Sequence, residues 1–230
     1  MSDNHQGFPY VHGLSRDVFT GVDTRQKKAI PIGELHMLLN KDPQSEKLRR
    51  TQAIANLLFQ FCGMPFSDLA HLEKSNLERG LLKYNRTKTG TPMSIEVLES
   101  AQDAIGGLYN KSDARSSGYP DYLFRILSGA YKRNEEGAYR EYQSALRRFN
   151  NELKSLSRKL RLHSPVTSYT LRHSWATTAK YRGVPIEMIS ESLGHKSIKT
   201  TQIYLKGFEL EERTKVNKLN YSYVCNFKML

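Results

Sequence analysis

A mainly α-helical fold carrying one small antiparallel hairpin is what this sequence predicts. Two patterns point there. Apolar residues recur at helical spacing in most segments, and the period drops to two in a single stretch between Leu81 and Val97. A third observation makes the fold plausible: 38% of the 230 residues are hydrophobic and 10% aromatic, enough apolar surface to offset the entropy of an ordered chain. The length suits one generous domain.

Residues 1–29 are polar, with Gly7, Gly13 and Gly21, and read as a linker or arm. A short helix follows at Ile32 to Leu39. Ile54, Leu57, Leu58 and Phe61 then fall at i, i+3, i+4 and i+7, the stripe of a core-facing helix. Gly63 ends it, and Pro65 suits the first turn of another helix running to about Leu72. From Leu81 the alternation puts Leu82, Tyr84, Arg86 and Lys88 on one strand face. Gly90 and Pro92 punctuate a turn, and Met93 to Val97 returns, so Lys88, Thr89 and Gly90 form the hairpin tip.

Residues 96–110 read as helical and residues 111–120 as a loop. A long helix spans about Glu136 to Leu162, with Leu146, Phe149, Leu153, Leu156 and Leu160 on its packing side. Arg147, Arg148, Lys154, Arg158, Lys159 and Arg161 lie between them, either a solvated face or a phosphate-tracking one. Three shorter helices follow: Thr170 to Arg182, closed by Gly183; Pro185 to Leu193, closed by Gly194; and Ile198 to Leu205. The helical pattern resumes over Glu209 to Asn217, and the tail from Leu219 to Leu230 reads as short and mixed.

The formal charge is +12, from 35 Lys and Arg against 23 Asp and Glu. A single basic domain favours a polyanionic partner: DNA, RNA or an anionic membrane surface, the last weaker because no segment at the chain ends pairs a Lys/Arg face with a Trp/Phe/Leu face. Two cysteines, Cys62 and Cys225, exclude a Cys-rich zinc module and argue against a disulfide-stapled secreted fold. No apolar run reaches the roughly 20 residues of a membrane span. No phosphate-binding Gly-rich loop and no His pair at i, i+4 on one helix occurs, so neither a metal nor another cofactor is expected. A soluble cytosolic protein is the default expectation.

The most informative stretch runs from Thr167 to Phe208. It holds an Arg inside an apolar helix, a His after a helix-ending Gly, and a Tyr in a third helix. An Arg flanked by Leu171 and Trp175 is costly to bury unless it meets an anion, either a structural carboxylate or a substrate phosphate. The blocks are Arg172-His173-Ser174-Trp175-Ala176-Thr177, Leu193-Gly194-His195-Lys196-Ser197 and Thr200-Thr201-Gln202-Ile203-Tyr204. In order and spacing they resemble the tyrosine recombinase (phage integrase) family. Tyr84 to Gly90 resembles that family's Lys-Thr-Gly hairpin, and Gly63 to Leu69 its Gly-Leu-Arg-Ile-Ser-Glu-Leu block. The variant blocks are closer to integrases of bacterial conjugative and mobilisable elements than to phage prototypes.

The resemblance implies the catalytic-domain fold of DNA breaking-rejoining enzymes over about residues 30–220. Residues 1–29 would lead to a separate core-binding domain, and residues 221–230 would form a tail exchanged between protomers. It implies site-specific recombination of a mobile element through a 3′-phosphotyrosine. Tyr204 would be the nucleophile, Arg172 and His195 would hold the phosphate, Lys88 would be the general acid, and Tyr169 would stand where the family usually has a histidine. Arg86, Arg147, Arg158, Lys196 and Lys199 are the expected DNA contacts. Double-stranded DNA is the expected partner, with a monomer when free, a homotetramer on DNA, and a cytoplasmic, nucleoid-associated location. One departure is sharp: Pro65 occupies the position of the family's first catalytic arginine, and Arg86, Arg49 and Arg50 are the candidates to replace its charge. Two further readings stay open: a DNA-binding protein of this fold without catalysis, and a type IB topoisomerase-like enzyme.

Overall fold

The computed structural model describes residues 29–111, 119–205 and 210–225. The chain runs α1 (Ile32–Asn40), α2 (Glu46–Gln60), α3 (Phe66–Ala70), a 3-10 turn (Lys74–Asn76), β1 (Leu77–Glu78), β2 (Leu81–Asn85), β3 (Pro92–Glu96) and α4 (Glu99–Leu108). Then come α5 (Glu136–Lys159), α6 (Ser168–Tyr181), α7 (Ile186–Ser192), α8 (Ile198–Tyr204) and α9 (Leu210–Cys225).

Helix α2 is the hub and packs against α1, α4, α5 and α6. Its stripe explains this, since Ile54, Leu57, Leu58 and the following Phe61 are all buried. The large core joins them to Leu38, Met64, Leu69, Leu82, Phe149, Leu153, Leu156 and Leu171. Phe66 stacks on Phe149, with ring centroids 4.8 Å apart, and locks α3 onto α5. A second, small cluster gathers Ala176, Ile189, Leu193 and Leu205, with Trp175, Ala179 and Val184 packed against it.

The sheet is antiparallel in the order β1-β2-β3, one short strand more than the predicted hairpin. Leu82 pairs with Ile95 and Asn85 with Pro92. Strand β2 ends at Asn85, not at Lys88. The Arg86 amide donates to the Thr91 carbonyl (2.9 Å) and the Gly90 amide to the Arg86 carbonyl (2.8 Å), so residues 86–91 close as a turn. Gly90 accommodates φ +67° there. Arg86 and Lys88 therefore do not share a strand face: Arg86 is buried and Lys88 exposed.

Two other differences concern extent. Helix α9 continues to Cys225, through the segment expected to be a mixed tail, because no Gly or Pro interrupts residues 210–225. Every side chain of α9 that can be described is exposed, Val216, Leu219, Tyr221 and Val224 among them. Residues 119–127 carry little periodicity, yet Tyr122, Leu123, Phe124 and Leu127 are buried. Isolated bridges Glu73–Tyr122 and Tyr109–Phe124 hold that segment in place. Residues 1–28 and 226–230, which include most of the expected linker and the end of the expected tail, lie outside the described residues.

Candidate active site

The site forms where the hairpin turn, the α2–α3 connection, α6 and the α7–α8 connection meet. Helix α6 is started by a capping box: Thr167 Oγ1 accepts from the Thr170 amide, and Thr170 Oγ1 accepts from the Thr167 amide. This cap sets the helical phase that turns Leu171 into the large core, with Arg172 buried beside it.

Arg172 is held by backbone carbonyls from two directions. Nη1 donates to Gly63 O (2.8 Å) and Nη2 to Leu193 O (2.7 Å). The approach to Gly63 requires glycine: a Cβ there would sit 3.2 Å from Trp175 Cβ and 3.3 Å from the Arg172 backbone, and φ is +65°. Leu193 is the C-cap of α7, where carbonyls carry the negative end of the helix dipole and favour a cation.

His195 lies against this guanidinium, its Nε2 accepting from Arg172 Nη2 at 3.2 Å. Arg has no acceptor, so this contact assigns the ring proton to Nδ1, which donates to Thr201 Oγ1 (2.8 Å). Burial, then Arg172, Arg86 and Lys88, push the imidazole down from 6.5 to about 4, so it is neutral at pH 7. Tyr84 lines the neighbourhood as well; its phenol is pushed up by burial first and by Asp68 second, while Arg86 and Arg172 act in the opposite direction.

Arg86, expected both as a DNA contact and as a candidate to replace the missing arginine, lies in this cluster, only 7% exposed. The reason is the turn at 86–91, which brings its side chain against α3 and Gly194. Its Nε lies 2.6 Å from Asp68 Oδ2, a close ion pair without hydrogen-bond alignment, and Nη1 donates to Leu193 O. Gly194 makes room for it, since a Cβ at 194 would come within 3.1 Å of Arg86 Cγ and Nη1 and 2.7 Å of Met93 Sδ. Asp68 also accepts the Thr87 amide on Oδ1 (3.1 Å), which ties the turn to α3.

Lys88 sits at the exposed tip of this turn. Tyr169 lies one helical turn before Arg172 on α6 and is 43% exposed. Tyr204 ends α8, and its side chain lies outside the described residues. Lys196 and Lys199 are exposed beside His195 and on the first turn of α8. Arg147 and Arg158 are exposed on α5, and no described contact joins them to the Arg172 cluster. Asp68 and Thr201 were not singled out by sequence. A signal existed for Asp68, an acid between Phe66 and Leu69 on an apolar helix, whereas Thr201 looked like any polar residue of α8. Among the described residues, no group of three or more His, Cys, Asp and Glu side chains comes together as a metal site requires, and no helix is long and apolar enough to cross a membrane.

A helical domain with a lysine-tipped hairpin and two guanidiniums beside an imidazole is the make-up of a tyrosine recombinase catalytic domain. The chain belongs to the phage integrase family, whose sequence profile matches residues 32–210. It is 28% identical over 200 residues to a probable integrase/recombinase protein of Methanocaldococcus jannaschii, covering 86% of this chain and 58% of that protein. It is 30% identical over 190 residues to the tyrosine recombinase XerD of Halalkalibacterium halodurans, covering 78% of this chain and 57% of XerD. The chain thus spans less than two thirds of either relative. In fold it is similar to the crystal structure of XerA recombinase, with a TM-score of 0.58 at 22% identity over 90% of this chain and 66% of that one. It is also similar to the Tn1549 transposon integrase bound to a circular intermediate DNA, with a TM-score of 0.55 at 15% identity, covering 85% of this chain and 67% of that one.

Proposed function

We propose that this chain cuts and rejoins DNA strands in site-specific recombination of a mobile element, without a metal, through a covalent 3′-phosphotyrosine at Tyr204. The observation that carries the reading is the Arg172–His195 contact at 3.2 Å, with Arg86 sharing the Leu193 carbonyl with Arg172, in a family whose chemistry is strand transfer. A cationic cluster of this kind suits a phosphodiester in its charged transition state.

In the proposed step the Tyr204 oxygen attacks the scissile phosphorus in line. The oxygen–phosphorus bond to Tyr204 forms and the bond to the 5′-oxygen breaks. The phenol proton passes to His195 Nε2, which is neutral in the free protein and becomes a donor once phosphate charge enters beside it. Arg172 donates to the non-bridging oxygens, and Lys88 gives the leaving 5′-oxygen its proton. Tyr169, half-exposed on the first turn of α6, would add a hydroxyl donor. Because the phosphotyrosine conserves the ester, the 5′-hydroxyl of a second strand reverses the step and joins to a new partner.

Double-stranded DNA is the proposed partner, supported by the charge of +12 and by exposed Arg147, Arg158, Lys196 and Lys199. A homotetramer on DNA is supported by α9, whose exposed Val216, Leu219, Tyr221 and Val224 suit docking on a neighbouring protomer. Truncation at residue 218 is expected to abolish synaptic complexes in gel-shift assays.

The direct test uses nicked duplexes with a randomised core, which trap a covalent adduct when the cut fragment diffuses away. The wild-type chain should yield phenol-partitioning DNA adducts. Tyr204→Phe should yield none while binding DNA nearly as well, and adducts retained by that variant would exclude Tyr204 as nucleophile. Absence of wild-type adducts would favour a DNA-binding role, and relaxation of supercoiled DNA without two-site recombination would favour topoisomerase chemistry.

A further inference from the structure

Pro65 offers no hydrogen-bond donor where the family's first catalytic arginine usually stands, so a second guanidinium for the proposed strand-transfer site has to come from elsewhere. We infer that Arg86 is that group: it reaches the pocket from the hairpin turn instead of from residue 65, and holds the scissile phosphate together with Arg172. The inference rests on the strand-transfer reading above for its catalytic role, but not for its phosphate site.

Four observations support it. First, Arg86 and Arg172 converge on one acceptor, since Arg86 Nη1 and Arg172 Nη2 both donate to Leu193 O. Two hydrogen-bond lengths place those nitrogens within about 5–6 Å of each other, a gap that one phosphate can bridge. Second, Arg86 keeps donor capacity. Its Nε faces Asp68 and its Nη1 faces Leu193, while no hydrogen bond to Nη2 occurs among the described residues. A guanidinium carries five N–H donors, so a free edge remains for an anion.

Third, the other candidates are engaged elsewhere. Arg49 is bound to Asp42 and Glu46 on an exposed face. Arg50 donates to Arg125 O beside a separate hollow lined by Lys47, Arg148 and Phe149. Fourth, the local charge balance favours an anion. Arg86 and Arg172 are both buried beside a neutral imidazole, and Asp68 offsets one of the two. Like charges gathered at low solvent exposure are costly unless an anion joins them. Asp68 has a second part in this arrangement, because its two oxygens hold Arg86 and the Thr87 amide together. The guanidinium and the turn that carries Lys88 are thus positioned by one carboxylate.

The same chain tests the phosphate site and the chemistry separately. Orthophosphate is titrated into the full chain while the His195 ring resonances are followed by NMR. Phosphate should perturb them in the wild type. Removing Arg86 alone leaves Asp68 buried without its partner, so the informative variant is Arg86→Gln with Asp68→Asn, which neutralises both ends. A folded double variant should bind phosphate at least tenfold more weakly, and its adduct formation on the randomised nicked duplexes should slow about 100-fold or more. Unchanged phosphate affinity in the folded double variant would overturn the assignment, as would a wild type whose His195 does not respond to phosphate. Phosphate binding that depends on Arg86, in a wild type that makes no DNA adducts, would leave the Arg86 site standing and remove the strand-transfer reading instead.

Discussion

The two apolar clusters of this domain differ in depth and in what they support. The large one surrounds α2 and buries long side chains from α1 through the start of α6, with Leu57, Leu58, Leu153, Leu156 and Leu171 fully enclosed. The small one holds α7 and α8 onto the second half of α6 through Ala176, Ile189, Leu193 and Leu205. The active-site residues divide along the same line. Arg172, Asp68 and Arg86 are anchored on elements of the large core. His195 and the end of α8 bearing Tyr204 hang from the small one, whose stability comes from fewer methylenes. The Arg172–Arg86 floor, proposed to hold phosphate, is therefore set by global folding, and the wall that carries the imidazole and Tyr204 by a local, weaker packing.

That contrast can be broken or sharpened by substitution, from larger effects to smaller. Phe149→Ala removes the ring stacked on Phe66 and should cost about 3–5 kcal/mol in urea unfolding. If the contrast holds, activity per folded molecule changes little. Leu193→Ala, in the small cluster, should cost about 2 kcal/mol yet reduce adduct formation by more than its folded fraction explains. The reverse pattern would place the imidazole's support in the large core. Thr201→Val deletes the acceptor of His195 Nδ1–H at a fully buried position and should cost about 1–2 kcal/mol. It should also loosen the tautomer assignment, visible in the ring nitrogen shifts.

The pH dependence tests the same wall. His195 is depressed in the folded state, so the unfolded chain binds its proton more readily. Its stabilising contribution is present above pH 6.5 and drains as pH falls from 6.5 towards about 4. His195→Gln should flatten the loss of stability across that window, read from denaturant midpoints at pH 7, 5.5 and 4. The smallest effect is expected on the outer surface, where Arg49→Ala breaks the exposed pairs to Asp42 and Glu46 and should leave the denaturant midpoint unchanged within error.

Much of this was readable from residues alone, and the exceptions have physical causes. The stripes of α2 and α5 predicted their buried faces because periodicity is a local property. Arg172 and His195 were legible because their blocks recur with fixed spacing, and the structure brings those two side chains together. Arg86 was seen, but its strand was drawn too long. Alternation extrapolated the strand by three residues, while the closing hydrogen bonds to Thr91 and Gly90 turn the chain at Arg86. Its pairing with Asp68 joins positions 18 apart in sequence through a helix and a sheet, which no single-segment pattern encodes. The buried run at 122–127 was missed for a related reason: it is held by bridges to Glu73 and Tyr109, not by a repeat of its own. Helix α9 was cut short because Asn, Tyr and Ser are weak helix formers, yet none of them breaks a helix.

The turn that Arg86 closes has one more effect. The guanidinium and the lysine ammonium are two positions apart on a loop pinned at both ends by its own backbone and at one side by Asp68. They travel as a single cassette. An exchange of residues 81–96 between homologous genes would transfer both charges at once, and a relative that already has arginine at the Pro65 position would receive a surplus cation. Chimeras of this kind should therefore tolerate the swap in one direction better than in the other.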